Sequence, residues 1–84
     1  MATETMTDEA TGILVRGVLR GGLCHLHLSG DDGETWQSMA MLTAEALSLP
    51  REQRLLSGAL TQKPESVRQT ALDVIDLLVG PIIV

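Results

Sequence analysis

The sequence predicts an α+β domain: a three-stranded antiparallel β-meander followed by two or three α-helices packed on one face of the sheet. Three observations carry this expectation. Two segments of strong β-propensity, Gly12 to Arg20 and Leu23 to Ser29, flank Gly21-Gly22, a pair that readily takes the positive φ angles of a two-residue hairpin turn. From Thr43 onward the apolar residues recur at helical rather than strand spacing. Strands followed by helices, with no βαβ alternation, pack as helices over one side of an antiparallel sheet. With 84 residues the chain has room for one such unit.

Residues 1–11 are polar, rich in Thr and Glu and without hydrophobic periodicity, so they read as a flexible N-terminal tail, leaving residues 12–84 as the single folded domain. With Gly21 and Gly22 as loop residues, the hairpin register pairs Arg20 with Leu23, Leu19 with Cys24, Val18 with His25, Gly17 with Leu26, Arg16 with His27 and Val15 with Leu28. Side chains alternate across a strand, so Ile13, Val15, Leu19, Cys24, Leu26 and Leu28 share one face, the natural core side. Leu14, Arg16, Val18, Arg20, His25, His27 and Ser29 share the other. A third strand is expected from about Thr35 to Met41, although the spacing of Met39, Met41, Leu42 and Ala44 through Leu47 also suits an early helix.

Thr43 is placed to cap a short helix, with Glu45 in its first turn. Pro50 suits the start of a second helix to about Thr61, with Leu55, Leu56, Ala59 and Leu60 on one stripe and Arg51, Glu52 and Arg54 facing water. Pro64 opens a third, in which Val67, Ala71, Val74, Ile75 and Leu78 recur at amphipathic spacing, and Gly80-Pro81 stops it. Ile82-Ile83-Val84 then adds a short strand or tucks into the core.

The connection between the second and third strands, Ser29-Gly30-Asp31-Asp32-Gly33-Glu34-Thr35-Trp36, fits the pattern S-x-D-x-G-x-T-W and holds the chain's one aromatic residue. It resembles the Asp box, a β-hairpin motif of the bacterial neuraminidase repeat kind found in propellers of sialidases and other sugar-active enzymes. The resemblance implies a local shape: Ser29 and Asp31 accept hydrogen bonds from the turn backbone, Gly33 takes a left-handed conformation, Thr35 completes the pattern, and the Trp36 ring folds over the turn. A propeller needs at least four blades of roughly 40 residues, and no second copy of the motif occurs in the chain. An activity on carbohydrate therefore rests on the motif's company elsewhere and on nothing in these residues.

The net charge is −5, and the Lys and Arg residues are scattered, which argues against nucleic acid as a partner. No apolar run approaches the roughly 18 residues of a membrane-spanning helix. A single cysteine, Cys24, and the lack of a leader-like N-terminus point to a reducing, cytoplasmic setting. Only 1% of the residues are aromatic, so the core is thin, and a thin core favours self-association into a homo-oligomer or burial against another protein.

No catalytic constellation stands out, and no cofactor is implied. Cys24 falls on the inward face, where a thiol acts as a small hydrophobe, and no Ser occupies a nucleophile elbow. Asp31, Asp32 and Glu34 lie too close together for an EF-hand calcium loop. His25 and His27 point to one side of their strand, but two histidines make an incomplete metal set, and Cys24 points the other way. Together with Arg16 and Arg20 they form a face that gains positive charge near the ordinary histidine pKa of about 6.5. The expected function is a small non-enzymatic interaction or regulatory module that binds a larger protein or itself through its sheet. The alternative is a metal- or small-ligand-binding protein centred on His25 and His27.

Overall fold

A computed structural model of the chain describes residues 1–54 and 63–80. They form two layers: a four-stranded antiparallel sheet in the order β1-β2-β3-β4, and helices on one of its faces. The strands are β1 (Ala2–Thr7), β2 (Leu14–Arg20), β3 (Leu23–Ser29) and β4 (Gln37–Leu42). The helices are α1 (Ala44–Leu47) and α2 (Glu65–Val79), with a single 3₁₀ turn at Arg51–Gln53 between them. The α+β class is as expected; the strand count is one higher.

The additional strand is the segment whose composition marks it as a flexible tail. Residues Ala2 to Thr7 pair antiparallel with β2, Thr5 opposite Arg16 and Met6 opposite Val15. Hydrophobic periodicity misses this strand because little of it is buried: Met6 is its one half-buried side chain. Ladder hydrogen bonds and the turn that follows hold it instead. In that turn the Asp8 carbonyl accepts the Thr11 and Gly12 N–H groups at 3.3 and 2.7 Å, and Gly12 supplies a φ of +76°. The buried Asp8 carboxylate accepts the Thr11 hydroxyl and, at 3.0 Å, the Ser66 hydroxyl, so it ties the β1–β2 turn to the start of α2.

The β2–β3 hairpin has the register that its glycine turn dictates, with φ of 59° at Gly21 and 79° at Gly22 and Arg16 directly opposite His27. Strand β4 begins at Gln37, two residues later than expected, because Thr35 and Trp36 still belong to the loop. A register shift opposite Leu26 and His27 marks a bulge in β4 at Met39. It turns Met39 into the core and leaves Met41 opposite His25 on the outer face, 57% exposed, which is why simple alternation reads this strand ambiguously.

Beyond β4, the Thr43 hydroxyl accepts the Ala46 N–H at 3.3 Å and caps one turn of helix. The segment after Pro50 is 3₁₀ over Arg51–Gln53, and the helical stripe expected for Leu55 to Leu60 lies outside the described residues, as does Ile82-Ile83-Val84. Arg54 does not face water. It is 3% exposed, donates to the Leu49 carbonyl at 3.2 Å and reaches Asp76 at 3.1 Å, while Arg51 bridges Asp73 at 2.6 Å and also pairs with Asp76. Burying a guanidinium requires such partners, and the charged ones sit on α2, remote in sequence.

The core joins Val15, Cys24, Leu26 and Leu28 of the sheet to Val67, Ala71, Val74 and Ile75 of α2. Gly17 sits between them. A Cβ there would fall 2.7 Å from both Leu78 Cδ1 and Val74 Cγ1, so the missing side chain is what lets α2 lie against β2. Replacing Gly17 by Ala should therefore destabilise the chain by about 1–3 kcal/mol, since the gain in strand propensity is outweighed by overpacking. Denaturant unfolding checks this. The double variant Gly17→Ala with Leu78→Ala should cost less than the sum of the two single changes.

Candidate functional site

With α1 and α2 on the inner face, strand alternation presents Arg16, Arg20, His25 and His27 on the outer one. Strand β1 extends that face with Thr3, Thr5 and Thr7, paired with Val18, Arg16 and Leu14. Strand β4 extends it with Ser38 opposite His27 and Met41 opposite His25.

The β3–β4 loop brings Trp36 onto this face. The Ser29 hydroxyl donates to Asp31 Oδ1 at 2.8 Å and accepts the Gly33 N–H at 2.8 Å. The Thr35 N–H donates to Asp31 Oδ1 at 2.9 Å, and the Thr35 hydroxyl donates to Asp31 Oδ2. Two consecutive residues with positive φ, Asp32 at 61° and Gly33 at 93°, reverse the chain. The indole then lies beside Gly33 and beneath the Arg16 guanidinium, whose Cζ is 4.2 Å from the ring centroid. Such a cation–π contact contributes on the order of 0.5–2 kcal/mol, depending on solvent access. Its geometric effect is larger: a long, flexible side chain is held in one orientation.

Arg16, Trp36 and His27 thus form one cluster, and His25 adjoins it with its ring 6.5 Å from that of His27 at an interplanar angle of 10°. Arg20 is exposed at the glycine-turn end of the face, away from the cluster. Within the cluster Arg16 Nε and His27 Nδ1 are shielded from solvent and, among the described residues, have no hydrogen-bond partner. Burial first, and then the charges of Arg16 and His25, hold the His27 pKa below its ordinary 6.5. The face therefore acquires charge at His27 at a lower pH than an unperturbed imidazole would give.

Other candidates are placed differently. Cys24 is buried in the core, and burial pushes its thiol pKa up, away from nucleophilic reactivity. Among the described residues no group of three or more His, Cys, Asp and Glu side chains is positioned to share a metal ion, so His25 and His27 have no third ligand there. An open cleft of about 320 Å³ lies on the loop's flank between Ile13, Leu28, Gln37 and Lys63, but the Asp31 carboxylate at its rim is already committed to Ser29 and Thr35. No described helix is long and apolar enough to cross a membrane.

Two contributions to the face escape sequence reading. The pairing of Trp36 with Arg16 depends on the loop's path, and Thr3, Thr5 and Thr7 join only because β1 is a strand. The T-x-T-x-T alternation is the signal that marks the latter. No family model matches the chain, and neither the curated proteins nor the solved structures contain a match to it.

The loop has a pH signature. Hydrogen bonds from Thr35 and Ser29 hold the Asp31 pKa at about 2, below its ordinary 3.8. A depressed carboxylate contributes stability that is complete above pH 3.8 and disappears as pH falls through about 2. Asp31→Asn should flatten this acid limb and lower stability at neutral pH. Trp36 fluorescence followed from neutral pH down to about pH 2 measures both effects.

Proposed function

We propose that this chain is a small non-enzymatic interaction module that holds a protein partner on the outer face of its sheet, with Arg16, His25, His27 and Arg20 as the contact residues. The observation that supports this reading is the Arg16–Trp36–His27 cluster. A cation is oriented by an aromatic ring on the face opposite the described helices, and two of the cluster's polar atoms have no hydrogen-bond partner among the described residues. An unpaired buried polar atom costs about 1–3 kcal/mol, and that cost is recovered when a bound group re-seats the side chains and supplies an acceptor. Arg and Trp are also the residue types that dominate binding energy in protein interfaces.

Self-association is the second route, favoured by the exposed edge of β1, which carries neither Pro nor Lys to block strand pairing. The buried thiol of Cys24 suits a reducing compartment, in keeping with a cytoplasmic protein.

The test uses the intact chain and its Arg16→Ala/His27→Ala double variant as baits in extracts of the source cell, with captured proteins identified by mass spectrometry. The double variant should melt within about 2 kcal/mol of the parent's stability, because both side chains lie off the core, and it should lose proteins that the parent retains. Identical captures by two folded baits would rule out the outer face as the binding surface.

A further inference from the structure

The charged residues of this protein are segregated. The chain carries a net charge of −5, yet none of the strand residues on the outer face is Asp or Glu, and the two charged ones are Arg16 and Arg20. The eleven acidic residues lie elsewhere: Glu4 on the inner side of the edge strand, Asp8 and Glu9 in the first turn, Asp31, Asp32 and Glu34 in the β3–β4 loop, Glu45 on α1, Glu52 in the 3₁₀ turn, and Glu65, Asp73 and Asp76 on α2. A cationic face on an acidic molecule repels other cationic surfaces, its own copies included, and attracts anionic ones.

We infer that the outer face recognises an acidic segment of a partner protein, one carboxylate of which is held by the Arg16 guanidinium beside His27. This rests on the outer-face reading above and specifies what occupies the face. Three features favour a carboxylate. The guanidinium is a planar fork that matches a carboxylate's two oxygens, and its contact with the Trp36 ring restrains it before binding. His27 lies directly opposite Arg16 in the ladder, with Nδ1 lacking a hydrogen-bond partner among the described residues. The surroundings are partly apolar, with Met41 57% exposed and Leu14 and Val18 half-buried, so the segment also has apolar side chains next to its acidic one.

Binding then couples to protonation. The groups facing His27 are Arg16 from β2, His25 along β3 and the neutral Ser38 from β4, and the helices pack on the opposite side. The charges that act on His27 among the described residues, those of Arg16 and His25, are positive, which disfavours the imidazolium until an anion arrives. A carboxylate reverses that balance and raises the affinity of His27 for a proton, so the segment binds more tightly as pH falls.

The experiment titrates the full chain with three labelled probes: a short peptide alternating Glu with Val, its counterpart with Gln for Glu, and an oligothymidylate of equal charge. Probe anisotropy and Trp36 fluorescence are read together. The Glu peptide should bind at least about tenfold more tightly than the Gln peptide, and Arg16→Gln should remove about tenfold of that affinity, whereas Lys63→Gln, off the face, should leave it unchanged. Lowering the pH from about 7.5 to about 6 should tighten Glu-peptide binding in the parent and do so less in His27→Gln. If Arg16→Gln no longer melts cooperatively, Arg16→Lys takes its place; it keeps the charge but not the fork and should lose severalfold. Equal binding of the Glu and Gln peptides, or equal loss in Lys63→Gln, would overturn the inference while leaving the bait comparison to decide the outer-face reading. Tighter binding of the oligothymidylate would overturn it in favour of phosphate.

Discussion

The contact between Gly17 and α2 is the constraint on which the rest of this structure depends. A sheet this small has few large apolar side chains to bury, and α2 covers it only by approaching the backbone of β2 where Gly17 leaves a gap. Dispersion and desolvation both fall off steeply with distance, so a helix held away by one methyl group would lose contacts along much of its length. The ion pairs of Arg51 and Arg54 with Asp73 and Asp76, and the bond from Ser66 to Asp8, then anchor α2 at positions outside the apolar core.

The same contact decides which residues remain available to other molecules. Once α2 claims Val15, Cys24 and Leu26, strand alternation turns Arg16, His25 and His27 outward. The outer face is thus the geometric complement of the core. Its organisation comes from a different source, the network around Asp31. Four hydrogen bonds among Ser29, Asp31, Gly33 and Thr35 determine the path by which Trp36 returns to the sheet, and there the indole meets Arg16. The loop resembles a motif known from sugar-active propellers, but here its physical effect is to aim one aromatic ring. That separation of shape from activity is general for small structural motifs.

Legibility varied with the range of the interaction. The β2–β3 register follows from two glycines and the strand period, so it is readable without tertiary information. The Thr43 cap and the span of α2 from Pro64 to Gly80 are equally local. Strand β1 was hidden because its stability comes from backbone pairing with β2 and not from a buried stripe, and hydrophobic periodicity detects only the latter. The bulge in β4 hid the roles of Met39 and Met41 by breaking the alternation on which their assignment rests. Arg54 was misplaced because the Asp76 that neutralises it is distant in sequence.

By itself, then, the sequence determined the α+β class, the hairpin with its two faces, and the candidates Arg16, Arg20, His25 and His27, since each of these depends on periodicity and short-range turn chemistry. Only the tertiary structure decided that the sheet has a fourth strand, that the Arg16 guanidinium lies over Trp36 beside a His27 whose Nδ1 has no hydrogen-bond partner among the described residues, and that Arg20 stands apart. These last facts depend on which segments meet in space, and such meetings are settled by packing and pairing between residues that no local pattern connects.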